Sequence, residues 1–239
     1  MLWNNARLTA DPIIGPLQAE LASRDLSFKV KTVPARAMLL DNRPVPARCR
    51  YRDAEVELEI AEDAKPHAVF HELYHLHRRY VLCLPQISAK PGQPEDIAHN
   101  IDLLHNLIDH LRVVPAEIAA YPGDAAPYWL DIHDADLTRF DAFEDPQMRR
   151  GNLLLAWISL SAIAPESAVA KRAWAMLQHR QLARAARLLA IAVAKAGDNA
   201  SHIARALLTE LRNPKAEQIC LLRYDPETRR DRILPFQAN

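Results

Sequence analysis

The chain has little glycine, little cysteine and no excess of either charge. Five Gly stand against 17 Pro in 239 residues, so few turns use left-handed glycine conformations and the connections are stiff. The three cysteines, Cys49, Cys83 and Cys220, are odd in number and far apart, with no C-x-x-C pair. That argues against a disulfide framework or a structural zinc ribbon and favours a reducing compartment. Basic and acidic residues number 30 each, for a formal net charge of zero. Without a basic excess, nucleic acid is not the expected partner. The segment Met1-Leu2-Trp3-Asn4-Asn5-Ala6-Arg7 lacks a basic stretch followed by a long apolar run, so no signal peptide is expected. The most apolar stretch, Leu153 to Ala164, is about 12 residues long and too short to span a bilayer. A soluble, cytoplasmic protein without a membrane partner is the expectation.

What is present is a globular composition and one chemical motif. Hydrophobic residues make up 49% and charged residues 25%, enough for one large domain or two small ones with a sizeable core. The motif is His71-Glu72-Leu73-Tyr74-His75, an H-E-x-x-H pentad within a stretch that reads as helix from about 66 to 80. A chain of this composition holds such a pentad by chance only about 2% of the time. Residues four apart share a helix face, so His71 and His75 can aim two imidazoles at one metal ion. Glu72 lies about 100° further round, within reach of a water at that ion.

Two runs precede the helix. Residues 47–52 lead into Glu55-Val56-Glu57-Leu58-Glu59-Ile60, which alternates polar and apolar with the period of a half-buried strand. Together they read as a hairpin or two adjacent strands, and Pro66 opens the helix. Leu26 to Val33 reads as an earlier strand, after a first helix over about 12–24.

A second helix starts at Pro94-Glu95-Asp96. It carries Ile97, Ile101, Leu104, Ile108 and Leu111 as an apolar stripe and His99, Asp102, Asn106, Asp109 and His110 on its other face. Zinc takes a third protein ligand and leaves a fourth position to water in catalytic sites. Asp109 or His110 would fill the third place, with Glu117 a further candidate. Asn106 and Asp102 would orient ligands by hydrogen bonds.

The pentad, with a strand pair leading into its helix, resembles the zincin metallopeptidases, over about residues 45–120. The short chain looks most like the small cytoplasmic regulatory zincins of bacteria and mobile elements. The resemblance implies Zn²⁺ as cofactor, Glu72 as general base for a zinc-bound water, and a peptide or protein substrate that pairs with an edge strand. The sequence after the pentad, Leu76-His77-Arg78-Arg79-Tyr80, lacks the third His of metzincins, and the Asn-Glu pair of the thermolysin type is also missing. Tyr74, Arg78 and His133 are candidates for stabilising the oxyanion, and Arg78 also for binding a substrate carboxylate; otherwise Arg78 snorkels. His67 reads as a residue that supports the ligands or lies at the surface, and His77 as surface.

Pro115, Pro122-Gly123 and Pro127 predict a loop from about 114 to 128. That places a boundary between a metal-binding region, 1–125, and a helical region with a C-terminal hairpin, 126–239, with one compact unit of both as the alternative. Asp131-Ile132-His133-Asp134-Ala135-Asp136 reads as helix capping or a solvated turn, or as the mouth of the metal cleft. Helices are expected over Leu153 to Ala162, from Pro165, over Gln181 to Ala196 and over Ser201 to Arg212, and a hairpin around Asp225-Pro226-Glu227-Thr228. The fold class is therefore α+β: a small antiparallel sheet, the pentad helix, a mainly helical second half and a terminal β-hairpin. The leading function is zinc-dependent peptide hydrolysis. Two rival readings are a non-catalytic protein-binding or regulatory protein on a zincin-like scaffold, and a metal-free helical regulator.

Overall fold

A computed structural model of the chain describes residues 3–35, 38–40, 43–140, 146–210 and 215–236. The chain forms two compact units, Met1–Leu84 with Arg223–Arg232, and Pro85–Leu222 with Ile233–Asn239. The fold is α+β with a C-terminal hairpin, as its hydrophobic periodicities imply.

The first unit begins with α1 (Asn5–Ala10) and α2 (Ile14–Ala22), then β1 (Ser27–Val33). Asn4 caps α1 by accepting from the Arg7 amide. Two short strands, β2 (Leu39–Leu40) and β3 (Arg43–Pro44), pair antiparallel. Then come β4 (Ala47–Arg52), β5 (Glu55–Ala61) and the pentad helix α3 (Pro66–Leu76). The order β1-β5-β4 leaves β4 on an edge. β4 and β5 are the expected antiparallel pair, whereas β1 joins β5 in parallel, so the sheet is mixed.

β5 lies central because its pattern serves two faces. Val56, Leu58 and Ile60 are buried, as are Leu8, Ile14, Leu21, Val69, Leu73 and Leu76 of the same unit. Glu57 and Glu59 point the other way. Lys31 of β1 reaches Glu57 at 2.7 Å, and Arg48 of β4 pairs with Glu59. This cross-strand ladder pairs opposite charges on the other face, where Glu59 is itself buried.

The second unit holds β6 (Gln86–Ala89), α4 (Glu95–Ala120), α5 (Pro122–Arg139), α6 (Pro146–Ile163), α7 (Ala168–His179), α8 (Ala183–Ala196) and α9 (Ala200–Leu208). β7 (Ile219–Asp225) and β8 (Arg230–Pro235) close the chain. β6 runs antiparallel to β7, with Gln86 opposite Leu222. Ile101, Leu104, Ile108 and Leu111 on α4 join Leu153, Leu154, Ile158 and Leu160 on α6 in one core with Leu189 and Val193 on α8. Ser167 caps α7, and Asn199 caps α9. Gly197, at φ 54°, ends α8 where a left-handed residue is needed.

Three expectations need correction. The loop predicted over 114–128 is helix: Pro115 lies inside α4 and Pro127 inside α5, with Tyr121 the residue between. Pro122 opens α5, a position where its missing N–H costs nothing. Pro115 removes one helical hydrogen bond, and burial of Val113 and Val114 beside it offsets that loss. The boundary expected near residue 125 therefore falls within a helix, and the chain passes between units at 84/85, 222/223 and 232/233. Residues 131–136 lie in the body of α5 rather than at a cap or turn. Strand β6, helix α1 and the β2–β3 pair had no counterpart in the sequence reading. The last part of the helix expected over 201–212 falls partly outside the described residues. No helix among the described residues is long and apolar enough to cross a membrane.

Candidate metal centre

α3 owes its position to the turn that follows β5. The Ala64 amide donates to the Ala61 carbonyl at 3.0 Å, and the Trp3 indole donates to the Ala64 carbonyl at 3.1 Å. Pro66 then starts the helix. Val69, Leu73 and Leu76 are fully buried, and this anchors the helix rotationally. The pentad therefore lies on a fixed flank, with His71 buried and His75 half-buried.

The Nε2 atoms of His71 and His75 are 3.1 Å apart, with ring planes at 73°. Two imidazole nitrogens at the Zn–N distance of about 2.0–2.1 Å from a tetrahedral ion would be roughly 3.3 Å apart. The pair is thus spaced as one ion requires. His110, on α4, completes a group: one ligand atom from each of His71, His75 and His110 all lie within 4.8 Å of one another. This three-His group could bind a metal ion.

Of the sequence candidates for the third ligand, His110 is in the group, and Asp109 and Glu117 are outside it. Adjacent helical residues diverge by about 100°, so Asp109 cannot share the direction of His110. Asp109 and Glu117 are instead buried, at 6% and 1% exposure. Glu117 accepts from the Trp129 indole at 2.8 Å, and the Trp129 ring stands edge-on to His110 at 5.3 Å. Trp129 escaped the sequence reading because nothing in its local pattern marks it. Asn106 and Asp102 are exposed on α4, and partial desolvation raises the Asp102 carboxyl from its ordinary range while His99 pulls it down.

Glu72 has a specific partner in β4. The Ala61 amide donates to the Pro46 carbonyl at 2.9 Å. With the register of β4 and β5, this makes Cys49 a residue whose main-chain groups face away from β5. The Cys49 amide donates to Glu72 Oε2 at 2.9 Å. Burial, then the Glu72 charge and a hydrogen bond to it, push the Cys49 thiol well above its ordinary value.

Tyr74 stacks between Phe70, at 5.5 Å, and His77, at 5.8 Å. His77 contacts Glu20 at 2.8 Å and is half-buried rather than a surface residue. His67 is 3% exposed, so its surface alternative fails. Arg78 is 8% exposed, so it is buried rather than a surface residue. Its neighbour Arg79 pairs with Asp231 and lies 4.5 Å over the Tyr51 ring. Burial pushes the nearby Tyr80 hydroxyl up to about 12, and it donates to the Asp53 carbonyl at 2.7 Å.

His133 lies on α5 with Trp129 6.5 Å away. Burial lowers its pKa from the ordinary imidazole value, against the opposing pull of Asp136.

Comparison of the chain with known protein families, curated proteins and solved structures finds no match.

Proposed function

We propose that the protein is a zinc-dependent peptidase of zincin type, with His71, His75 and His110 as metal ligands and Glu72 as general base. The observation that carries this reading is the three-imidazole group with a carboxylate on the same helix. Three neutral nitrogen donors suit Zn²⁺. Among the described residues the group has three members; with these alone a bound ion would keep a fourth position for water, the arrangement of catalytic rather than structural zinc sites. It favours hydrolysis over the reading in which the scaffold only binds a protein.

When bound, Zn²⁺ would polarise the peptide carbonyl and bring the pKa of a coordinated water towards about 7. The remaining work falls to the chain. Glu72 takes a proton from the attacking water and passes it to the leaving amine, the role of a carboxylate in general acid–base catalysis. The Cys49 amide holds Glu72 in one rotamer by a hydrogen bond to Oε2. β4 ends the strand order of its sheet, and an extended peptide would add beside it by main-chain hydrogen bonds. A cytoplasmic protein or peptide substrate follows from the zincin resemblance.

The test is zinc content by elemental analysis beside peptide hydrolysis. About one zinc per chain, lost in His75→Ala, with hydrolysis lost in Glu72→Ala at full zinc content, supports the reading. Failure to take up zinc after metal is added back refutes it.

A further inference from the structure

Helices α7 and α8 of the second unit are one-sided in charge, in a chain whose formal total is zero. Between Glu166 and Asp198 stand six Lys or Arg and no Asp or Glu. Some of these cations are engaged. Lys171 lies 3.5 Å from Glu166 and Arg172 lies 2.6 Å from Asp134, while Arg187 stands 5.0 Å over the Trp174 ring. Arg184 and Lys195 differ. Both are exposed on α8, and among the described residues no carboxylate pairs with either. Asp198, the next acid after Lys195, lies 3.4 Å from Arg112.

Leu188 and Ile191 come between these two cations and are 58% and 51% exposed. Ala186, Leu189 and Val193 take the other side of α8 into the core of the unit. Residues 184, 188, 191 and 195 fall on one ridge of the helix, spaced four, three and four, as on a coiled-coil seam. The ridge reads cation, apolar, apolar, cation over about 16 Å. One exposed apolar residue is ordinary; two in seam spacing, framed by cations that lack a carboxylate, have the pattern of a helix-docking face.

We infer that this ridge docks an acidic amphipathic helix of a partner protein, with apolar residues at two central seam positions and Asp or Glu at the seam positions on either side. The face takes no part in the peptide chemistry proposed above, so the inference stands without it. Charge selects the occupant. A second copy using the same ridge would set cation against cation in either orientation, because both ends are positive. A phosphate backbone would meet Leu188 and Ile191 at the centre of the ridge and gain nothing from them. A bilayer would receive only two apolar side chains, since the rest of the apolar surface of α8 is already in the core.

The experiment uses the whole chain and two labelled helix-forming peptides of about 20 residues. Both carry Leu at the central seam positions; one has Glu and the other Lys at the flanking ones. Fluorescence anisotropy measures binding. The Glu peptide is expected to bind at least about tenfold more tightly than the Lys peptide. Arg184→Glu with Lys195→Glu should invert that order, and Leu188→Ser with Ile191→Ser should weaken the Glu peptide about tenfold. All four positions are exposed, so both double variants should keep the circular dichroism and melting temperature of the wild type. Failure of the wild type to bind the Glu peptide, or an order that charge reversal leaves unchanged, overturns the proposal. Vesicles of equimolar phosphatidylcholine and phosphatidylserine and a duplex DNA are titrated alongside. Tighter binding to either than to the Glu peptide, lost on charge reversal, gives the ridge to lipid or nucleic acid and overturns the helix partner. A dimer of the wild type in sedimentation analysis that the Leu188→Ser, Ile191→Ser change abolishes overturns it in favour of a second copy.

Discussion

The Glu72 carboxylate accepts a hydrogen bond from the Cys49 main-chain amide at 2.9 Å. The contact ties the acid of the pentad to β4, the end strand of its sheet, on which a peptide would add under the proposed function. It separates two functions of Glu72, holding the edge strand and moving a proton. Gln keeps the first and loses the second. Glu72→Gln is expected to keep its melting temperature and its zinc, while hydrolysis falls by about 10²- to 10⁴-fold. Thermal unfolding, elemental analysis and peptide cleavage on one preparation decide it. A variant that retains full activity removes Glu72 from the chemistry.

His110 and Asp109 are neighbours in sequence with opposite assignments. His110→Ala is expected to lose stoichiometric zinc, as His75→Ala does, whereas Asp109→Asn keeps about one zinc per chain. Asp109 is buried, so its variant should show lower stability rather than altered metal content. Elemental analysis of both variants after dialysis, with unfolding curves, gives the answer. Zinc lost from Asp109→Asn and kept by His110→Ala would reverse the assignment.

How the site was legible in sequence follows from range. The 71/75 spacing is local, and a helix carries it into space without help from the rest of the fold. The alternation of 55–60 likewise shows which face of β5 is buried. The third ligand is not local: α4 has polar residues at 102, 106, 109 and 110, and only the way Ile101, Leu104, Ile108 and Leu111 bury themselves decides the direction of the others. The Cys49–Glu72 bond depends on strand register, which turns the main-chain groups of every second residue of β4 away from β5. The prolines misled for a physical reason. Pro115 and Pro127 weaken a helix in isolation, but tertiary packing outweighs one missing hydrogen bond. β6 escaped notice because four residues carry too little periodicity.

The bond between Trp129 and Glu117 joins α5 to α4 through a buried carboxyl group. Trp129→Phe removes one donor to that group and is expected to lower stability by about 1–3 kcal/mol. Adding Glu117→Gln should not cost the sum of the two single changes, because both act on one contact. Urea unfolding of the two single variants and the double variant measures the coupling. Strict additivity would show that the bond contributes nothing of its own.

His133 gives the stability a predictable dependence on pH. Burial holds its folded pKa below the ordinary imidazole value, so as pH falls the unfolded chain takes up this proton first. Its contribution is present above the unfolded pKa of about 6.5 and is lost as pH falls through the lower folded value. Asp136 opposes the shift without reversing it. Between about pH 7.5 and about pH 5.5, the urea midpoint of the wild type should drop more steeply than that of His133→Gln, which cannot take up a proton there. Equal slopes for the two proteins would mean that His133 titrates alike in the folded and unfolded chains, and that burial does not govern its charge.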